Sequence, residues 1–285
     1  MPETSMAARS GADANGEDAR GISVLRNGIS VLRAFDAEEP TLGVTEIASR
    51  VGLHKSTVSR ILATLEHADL VERDADSGRF RLGLGVIALA GPLLAHLDVR
   101  RVAYPLLEDL SRCTGETSAL MVWNGSEAVC VEQVPSSHQV KHTTPLGTRY
   151  RTVADSSVAV FLAQCDGLRV RTMLAAGTIG GAGLDTQGVE AYLARLAEAR
   201  QRGFTVNYGA TSLEEVGIAA PVFDHRGGPI AAVLVSAPRF RVSAQQVTAL
   251  GEAVRDSAAG VTRRLGGHSP ARSSHPDPGS LARQP

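Results

Sequence analysis

The sequence predicts an α+β protein with an N-terminal winged helix-turn-helix, a helical linker and a C-terminal α/β domain. Two short helical patterns meet at a glycine turn near residue 52, and a strand-turn-strand pattern follows them. Beyond residue 100, strand-like runs alternate with helical stretches over a length that can bury its own core. The 285 residues, 43% hydrophobic and 21% charged, are typical of a globular protein with two domains.

Changes in composition predict the domain boundaries. Residues 1–21 and 266–285 lack apolar periodicity, so both are expected to be disordered tails. Between them we expect the winged helix-turn-helix over 22–83, the linker over 84–101 and the α/β domain over 102–265. No signal peptide and no apolar run of roughly 18 residues is visible. The protein is therefore expected to be cytoplasmic and to have no membrane partner.

Three helical patterns precede the predicted hairpin. The first is amphipathic, with apolar positions Val24, Leu25, Gly28, Val31, Leu32 and Phe35. The second is expected to start after Gly43, to use Glu46 in its first turn and to end at Gly52. The third starts near Lys55, and its apolar face is expected to consist of Val58, Ile61, Leu62 and Leu65.

The hairpin, or wing, is predicted from two strand-like runs, 70–73 and 79–83, joined by a turn that ends in Gly78. Side chains alternate between the two faces of a strand. We therefore expect an inward-facing pair, Phe80 and Leu82, and an outward-facing pair, Arg79 and Arg81.

The third helix carries a short polar and cationic face opposite its apolar one. Its groove-facing residues are expected to be Ser56, Thr57, Ser59 and Arg60. Small hydroxyl side chains let a helix approach the major groove closely, and an arginine can donate two parallel hydrogen bonds to guanine. Lys55 at the helix start is expected to contact a phosphate, and Arg79 and Arg81 the DNA backbone.

The charge balance limits how this DNA contact can be made. The formal charge is -1, which excludes a uniformly basic coat for nucleic acid. Residues 22–83 contain eight Lys plus Arg and nine Asp plus Glu, so contact must come from a local patch. Weak binding by one copy favours a dimer that reads two half-sites of double-stranded DNA. Apolar residues of the linker are expected to join protomers: Val86, Ile87, Leu89, Leu93 and Leu94.

The second region shows mixed elements. Asn124-Gly125 is a strong hairpin signal between strands predicted over 118–123 and 127–134. Further expectations are a helix over 186–202, strands over 204–208, 216–223 and 229–236, and a last helix over 243–265. A loop over 135–152 concentrates positive charge on His138, Lys141, His142, Arg149 and Arg151. It either attracts an acidic ligand or is simply solvated.

Residues 52–65, followed by the wing and Leu82-Gly83, resemble the DNA-binding domain of the IclR family of bacterial transcriptional regulators. The resemblance continues through 202–204, 218–224 and 230–238, and it covers roughly residues 22–265. It implies a GAF-like α/β domain that binds a small effector, an organic or aromatic acid. It also implies control of transcription, by repression rather than activation. It also implies homodimers or homotetramers on palindromic operators.

The resemblance places the effector pocket against the sheet of the second domain. The matching positions are Ser156, Ser157, Asn207, Gly217, Leu234 and Ser236. The chain departs from the family pattern at 156–159, 207, 210 and 214. Neutral Ser and Asn groups suit a carboxylate, amide or hydroxyl ligand. Alternatively, the serines cap the following helix and Asn207 is a turn or strand-edge residue.

Two other functions compete with an effector-controlled regulator. The first is a DNA-binding regulator whose pocket has lost its ligand and which is controlled by a protein partner instead. The second, least favoured, is an enzyme in which Cys130 is a nucleophile and His138 its base. No motif for catalysis, a metal or a cofactor is present, and no cofactor is expected. Cys113, Cys130 and Cys165 are expected to be buried free thiols.

Overall fold

The computed structural model describes residues 23–36, 39–96, 98–181 and 184–269. The chain divides into two compact units, Met1–His96 and Leu97–Pro285. The predicted α+β class, with a helix-turn-helix first and an α/β domain second, is confirmed. The predicted tail over 1–21 and residues 270–285 of the predicted C-terminal tail lie outside the described residues.

The first unit is a small helical domain with one hairpin. Its elements are α1 (23–32), α2 (Val44–Val51), α3 (Lys55–His67), β1 (Val71–Arg73), β2 (Phe80–Leu82) and α4 (Gly85–His96). Its core packs Val31 of α1 against Ile47 of α2 and against Val58 and Leu62 of α3, all fully buried. Val24 and Leu25, at the start of α1, are instead 64% and 68% exposed.

The glycine turn between α2 and α3 forms as the sequence predicts. The Gly43 N–H donates to the Glu46 carboxylate at 2.8 Å, which fixes the start of α2. Gly52 has a φ of 68°, a left-handed conformation that favours glycine, and its N–H donates to the Ala48 carbonyl. The chain can therefore start α3 three residues later.

The wing is an antiparallel pair in which Val71 lies opposite Leu82 and Arg73 opposite Phe80. Phe80 is buried, as predicted, but Leu82 is 41% exposed, so the expectation that it packs inward is wrong. Leu82 is the last residue of a three-residue strand, where the chain leaves the hairpin for α4. The alternation of faces therefore does not extend to it.

The start of α4 lies directly against the turn that ends α3. The N–H groups of Gly83 and Gly85 donate to the carbonyls of Leu70 and Asp69, each at 3.0 Å. Asp69 has a φ of 56°, which is uncommon for a residue with a side chain. A Cβ on Gly83 or Gly85 would lie 2.2 or 2.6 Å from the Asp69 oxygen, so both positions require glycine.

The second unit is a six-stranded sheet with helices on both faces. Its strands are β3 (Thr117–Trp123), β4 (Ala128–Val134), β5 (Arg149–Tyr150), β6 (Thr205–Tyr208), β7 (Glu215–Phe223) and β8 (Pro229–Pro238). Its helices are α5 (Asp98–Thr114), α6 (Ser156–Leu162), α7 (Gly167–Ala175), α8 (Thr186–Arg202) and α9 (Gln246–Arg264). The strand order is β5-β4-β3-β8-β7-β6, and neighbouring strands are antiparallel.

Alternation along the central strands supplies a separate core to each face of this sheet. Ile218 and Val233 point toward α5 and α9, where they pack with Leu107 and Val261. Ala219 and Leu234 point to the other face, where α6 and α8 contribute residues such as Phe161 and Tyr192. The predicted Asn124-Gly125 hairpin joins β3 to β4.

The predicted linker over 84–101 comprises α4 and the first four residues of α5. At the other end, α9 begins three residues later than predicted because residues 243–245 do not continue the helix. It ends in a glycine motif in which the N–H groups of Gly266 and Gly267 donate to the carbonyls of Arg263 and Thr262. The first residues of the predicted tail over 266–285, Gly266 and Gly267, therefore form backbone hydrogen bonds with the end of α9.

The cysteines differ in their exposure. Cys130 is buried, Cys165 is half-buried, and Cys113 is exposed. The expectation of buried thiols is therefore wrong for Cys113, which lies in the last turn of α5 on its solvent side. Among the described helices, none is both long enough and apolar enough to cross a membrane.

Candidate functional site

The exposed face of α3 carries the residues that the sequence predicts for DNA contact. Lys55, Ser56, Ser59 and Arg60 are exposed and Thr57 is half-buried, whereas Val58 and Leu62 on the opposite face are fully buried. Within the described part of the chain, neither Lys55 nor Arg60 forms an ion pair. Both cations of α3 are therefore available to a ligand.

The two wing arginines are in a different situation, because each has a carboxylate partner. Arg79 donates to the Glu46 carboxylate at 2.7 Å and to the Thr41 carbonyl at 2.9 Å, which ties the wing to the start of α2. The Gly43 N–H, and then Arg79, lower the pKa of Glu46. Arg81 pairs with Glu72 on the neighbouring strand. A phosphate must share these arginines with the carboxylates.

In the second unit, the register of the sheet aligns three predicted pocket residues. Asn207 on β6 lies opposite Gly217 on β7, and Gly217 lies opposite Ser236 on β8. Thr117 on β3 extends the row by pairing with Ser236. A polar band therefore crosses four strands at one end of the sheet, on the face covered by α6 and α8.

The first residues of α6 lie directly over this band. Ser156 and Ser157 are 5% and 2% exposed, and a Cβ on Gly217 would lie 2.9 Å from the Ser156 hydroxyl oxygen. The Thr205 hydroxyl donates to the Ser156 carbonyl at 2.7 Å, which joins the start of α6 to β6.

The alternative that the serines cap α6 is wrong. The cap position belongs to Asp155, and the serines are the first two residues of the helix. The Asp155 carboxylate accepts hydrogen bonds from the N–H and hydroxyl of Thr152, each at 2.8 Å. In the described residues, the hydroxyls of Ser156 and Ser157 have no hydrogen-bond partner. They remain available to a ligand.

A cavity of about 40 Å³ lies between the start of α6 and the sheet. Four predicted residues line it, Ser156, Ser157, Asn207 and Leu234, together with Asp155, which directly precedes the two serines. Three more lining residues were missed by the sequence analysis: Tyr150, Thr211 and Glu215. Alternation along β7 could have identified Glu215, because it shares a face with Gly217. No local pattern marks Tyr150 or Thr211.

Asn207 both lines the cavity and holds the turn that follows β6. Its side-chain oxygen accepts from the Ala210 N–H at 2.8 Å, and its amide donates to the Thr211 hydroxyl. That hydroxyl donates in turn to the Glu215 carboxylate at 3.2 Å. Asn207 therefore acts as a turn residue, as the alternative interpretation expected. Its side chain, 4% exposed, also borders the cavity.

Ser236 is not among the residues that line the cavity. Its hydroxyl oxygen lies 3.3 Å from that of Thr144, a fully buried residue of the 135–148 loop. Burial raises the pKa of Tyr150 to about 12, while a hydrogen bond with Thr144 acts in the opposite direction. Ser236 therefore joins the sheet to the loop beside the cavity.

Most of the cationic side chains in this loop form hydrogen bonds or ion pairs with other residues of the protein. Lys141 donates to the Ser136 carbonyl at 3.0 Å, and the His142 ring nitrogen lies 3.2 Å from the Glu214 carbonyl oxygen. Arg149 pairs with Glu127. The Lys141 bond lies within the loop, whereas His142 and Arg149 fasten it to the residues just before β7 and β4. The cavity lining itself contains no Lys, Arg or His.

The surroundings of Cys130 do not suit a nucleophile. Its thiol donates to the Thr144 carbonyl at 3.1 Å, and burial raises its pKa to about 12. Its hydrogen-bond partners are backbone carbonyls, and His138 is not among them. The His138 ring instead lies beside Gly115, 3.2 Å from where a Cβ would stand. Neither a thiolate nor a base is provided.

Comparison with known proteins assigns both units. Residues 24–75 match the IclR helix-turn-helix domain, and residues 92–263 match the bacterial transcriptional regulator IclR C-terminal domain. A domain of a putative IclR-family transcriptional regulator has a similar structure, with a TM-score of 0.58 and 58% identity over 60% of this chain and 98% of that one.

Two further relatives match over most of their length. The transcriptional repressor AllR of Salmonella paratyphi A is 29% identical over 87% of this chain and 91% of its own. An IclR homolog from Microbacterium hydrocarbonoxydans, solved with 4-hydroxybenzoate, is 25% identical over 85% of this chain and 98% of its own, with a TM-score of 0.69. These relatives are transcriptional regulators, not enzymes. The chain belongs to the IclR family of bacterial DNA-binding transcriptional regulators.

Proposed function

We propose that this regulator is a cytoplasmic repressor whose affinity for operator DNA is controlled by a small organic effector. The repressor role is supported by the likeness to AllR, which is named a repressor. The observation that carries effector control is the cavity under α6, where the Ser156 and Ser157 hydroxyls face Asn207 and Leu234.

DNA is read by α3. Arg60 donates to guanine in the major groove, and the small side chains of Ser56, Thr57 and Ser59 permit close approach. Lys55 contacts a phosphate at the start of the helix. Arg79 and Arg81 lie beside the DNA backbone, where phosphates compete with Glu46 and Glu72 for their guanidinium groups.

The effector is a compact organic acid that also carries a hydroxyl or amide donor. A volume of about 40 Å³ holds on the order of three water molecules, so a compact ligand fits better than a large one. The free serine hydroxyls donate to its carboxylate. Asp155 and Glu215 repel a second anionic group but accept a hydrogen bond from a donor. The homolog solved with 4-hydroxybenzoate shows that an aromatic hydroxy acid suits one relative.

The functional form is a homodimer or homotetramer that recognises a palindromic operator. Support comes from apolar side chains on α1 and α4 that are exposed to solvent in a single copy. Within the first unit, Leu25 is 68%, Ile87 61% and Leu89 74% exposed. Contact with a second copy buries these residues and places two copies of α3 on two half-sites. The side chains of Leu93 and Leu94, also predicted for this contact, lie outside the described residues.

The test of effector control is reciprocal binding. Full-length protein is titrated with glycolate or 4-hydroxybenzoate, with and without DNA selected from a random library by the protein itself. A coupling of about 1–3 kcal/mol changes the affinity for each ligand by roughly 5- to 150-fold when the other is bound. Ser157→Leu, which fills the cavity, is expected to abolish the effect while DNA binding persists.

Equal acid affinity in both titrations contradicts effector control through this cavity. That outcome favours the alternative of a protein partner acting on a regulator with a degenerate pocket. The departures from the family pattern at 156–159 and 207 support this second candidate.

A further inference from the structure

A second cavity, of about 570 Å³, lies between the C-terminal halves of α8 and α9. Its floor includes Pro221 and Phe223 of β7, whereas Glu215 at the other end of β7 borders the small cavity under α6. Pro221 lies six positions beyond Glu215 along β7, which is about 20 Å of extended strand. The two cavities are therefore separate sites.

Cationic side chains converge on this second cavity, which we call the arginine groove. Arg200 of α8, Arg255 and Arg263 of α9, and His268 line it, together with amides of Gln164 and Gln201. None of its fourteen lining residues, all within the described chain, is acidic. In a protein with a formal charge of -1, such a cluster requires a specific explanation.

Helical spacing accounts for the convergence. Arg255, Ala259 and Arg263 recur every four residues along α9, and Ala197 and Arg200 lie three apart on α8, so each helix turns one face toward the groove. The alanines keep the space between the guanidinium groups open. Arg202, by contrast, donates to the Phe204 carbonyl at 2.7 Å and stacks on the Phe204 ring, and it does not line the groove.

Among the residues that the structure describes, two of the three arginines lack a carboxylate partner. In the described residues, Arg255 pairs with Asp256 at 3.1 Å, but no acidic side chain pairs with Arg200 or Arg263. Cations in the last turns of α8 and α9 do stabilise those helix ends, which explains Arg200 and Arg263 in part. It does not explain Arg255 in the middle of α9, or the absence of acidic residues from the groove lining.

We propose that the arginine groove binds a small molecule carrying two or more clustered anionic groups, phosphates or carboxylates. Guanidinium groups match both oxyanions because each can donate two parallel hydrogen bonds. A volume of about 570 Å³ lies in the range of sites for ligands of metabolite size. The amides of Gln164 and Gln201 supply neutral donors and acceptors for the remainder of the molecule.

The test uses full-length protein with pyrophosphate and citrate as probes, titrated by calorimetry at constant ionic strength. Arg200→Gln/Arg263→Gln removes two charges from the groove while keeping side chains that favour helix. Arg169→Ala/Arg226→Ala removes two exposed charges elsewhere in the same unit. Lys55→Ala/Arg60→Ala removes the cations of α3.

Saturable binding of either probe is expected, weakened at least tenfold in the groove variant and less than twofold in both controls. The probe that binds then identifies phosphate or carboxylate as the recognised group. Should the groove variant fail to fold, Gln201→Glu, which introduces a carboxylate into the lining, is expected to weaken binding at least threefold. Absence of binding by both probes, equal weakening in all variants, or loss only in Lys55→Ala/Arg60→Ala would each overturn the proposal.

Discussion

The Ser156 hydroxyl and the backbone of Gly217 approach each other so closely that a side chain at position 217 would displace the hydroxyl. A Cβ there would stand 2.9 Å from the hydroxyl oxygen, well inside ordinary contact distance. Gly217 thereby lets α6 rest on β7 with two serine hydroxyls over the sheet.

Gly217→Ala is expected to destabilise the protein by about 1–3 kcal/mol, as overpacking of a tight core does. It is also expected to weaken effector binding, because Ser156 must move into the cavity. Chemical denaturation of the single variants and of Ser156→Ala/Gly217→Ala measures the effect. The double variant should recover most of the lost stability, since the clashing oxygen is gone. Additive losses in the double variant would contradict the contact.

Arg60→Ala is expected to weaken binding to a specific site by about 1–3 kcal/mol and to relax the preference for one base, as loss of a bidentate guanine contact does. Lys55→Ala is the matched comparison. It removes a phosphate contact, so it should weaken binding to all sequences alike and lower the salt dependence by about one ion. Fluorescence anisotropy on selected and scrambled DNA over a salt series separates the two effects. Identical profiles for both variants would refute the assignment of Arg60 to base reading.

Ile87→Glu/Leu89→Glu is expected to convert the oligomer into monomers, because carboxylates replace apolar side chains that are 61% and 74% exposed in a single copy. Sedimentation velocity at micromolar concentration reports the change. Leu168→Glu alters an equally exposed leucine of α7, 76% exposed, and should leave the assembly intact. A monomeric wild-type protein would remove both the interface and the palindromic operator from the proposal.

Cys113 and Cys130 are expected to react very differently with iodoacetamide at pH 8. Burial disfavours the charged thiolate and raises the pKa of Cys130 to about 12, so Cys130 stays protonated until strongly alkaline pH. Cys113 is exposed and should be alkylated in the native state. Mass spectrometry of peptides from native and denatured protein measures both. Rapid native labelling of Cys130 in a Cys113→Ser variant would revive the nucleophile hypothesis.

The helix-turn-helix was largely predictable because its determinants are local. The Gly43-Glu46 pair, the left-handed Gly52 and the four-residue apolar repeat of α3 act within a few positions of one another. Leu82 shows the limit of this reasoning. Whether a residue at a strand end is covered depends on the path of the chain beyond it, and a period-two pattern contains no information on that path.

The cavity under α6 was only half predictable for the same reason. Ser156, Asn207 and Leu234 were found through resemblance to family positions, whereas Tyr150 and Thr211 reach the cavity through the packing of distant segments. The hydrogen bonds that occupy Ser236 and the wing arginines were also beyond sequence reasoning. A polar side chain in a motif does not indicate which neighbour satisfies it in the folded chain.

The two glycines that join the wing to α4 have a mechanical consequence. Because the N–H groups of Gly83 and Gly85 hold the carbonyls at the end of α3, the first turn of α4 has no slack relative to the DNA-reading helix. A rotation of α4 is therefore expected to turn α3 with it. If two copies bind one operator, as proposed above, a small rotation of each α4 would alter the spacing between the two copies of α3, and with it the spacing of half-sites that they can span.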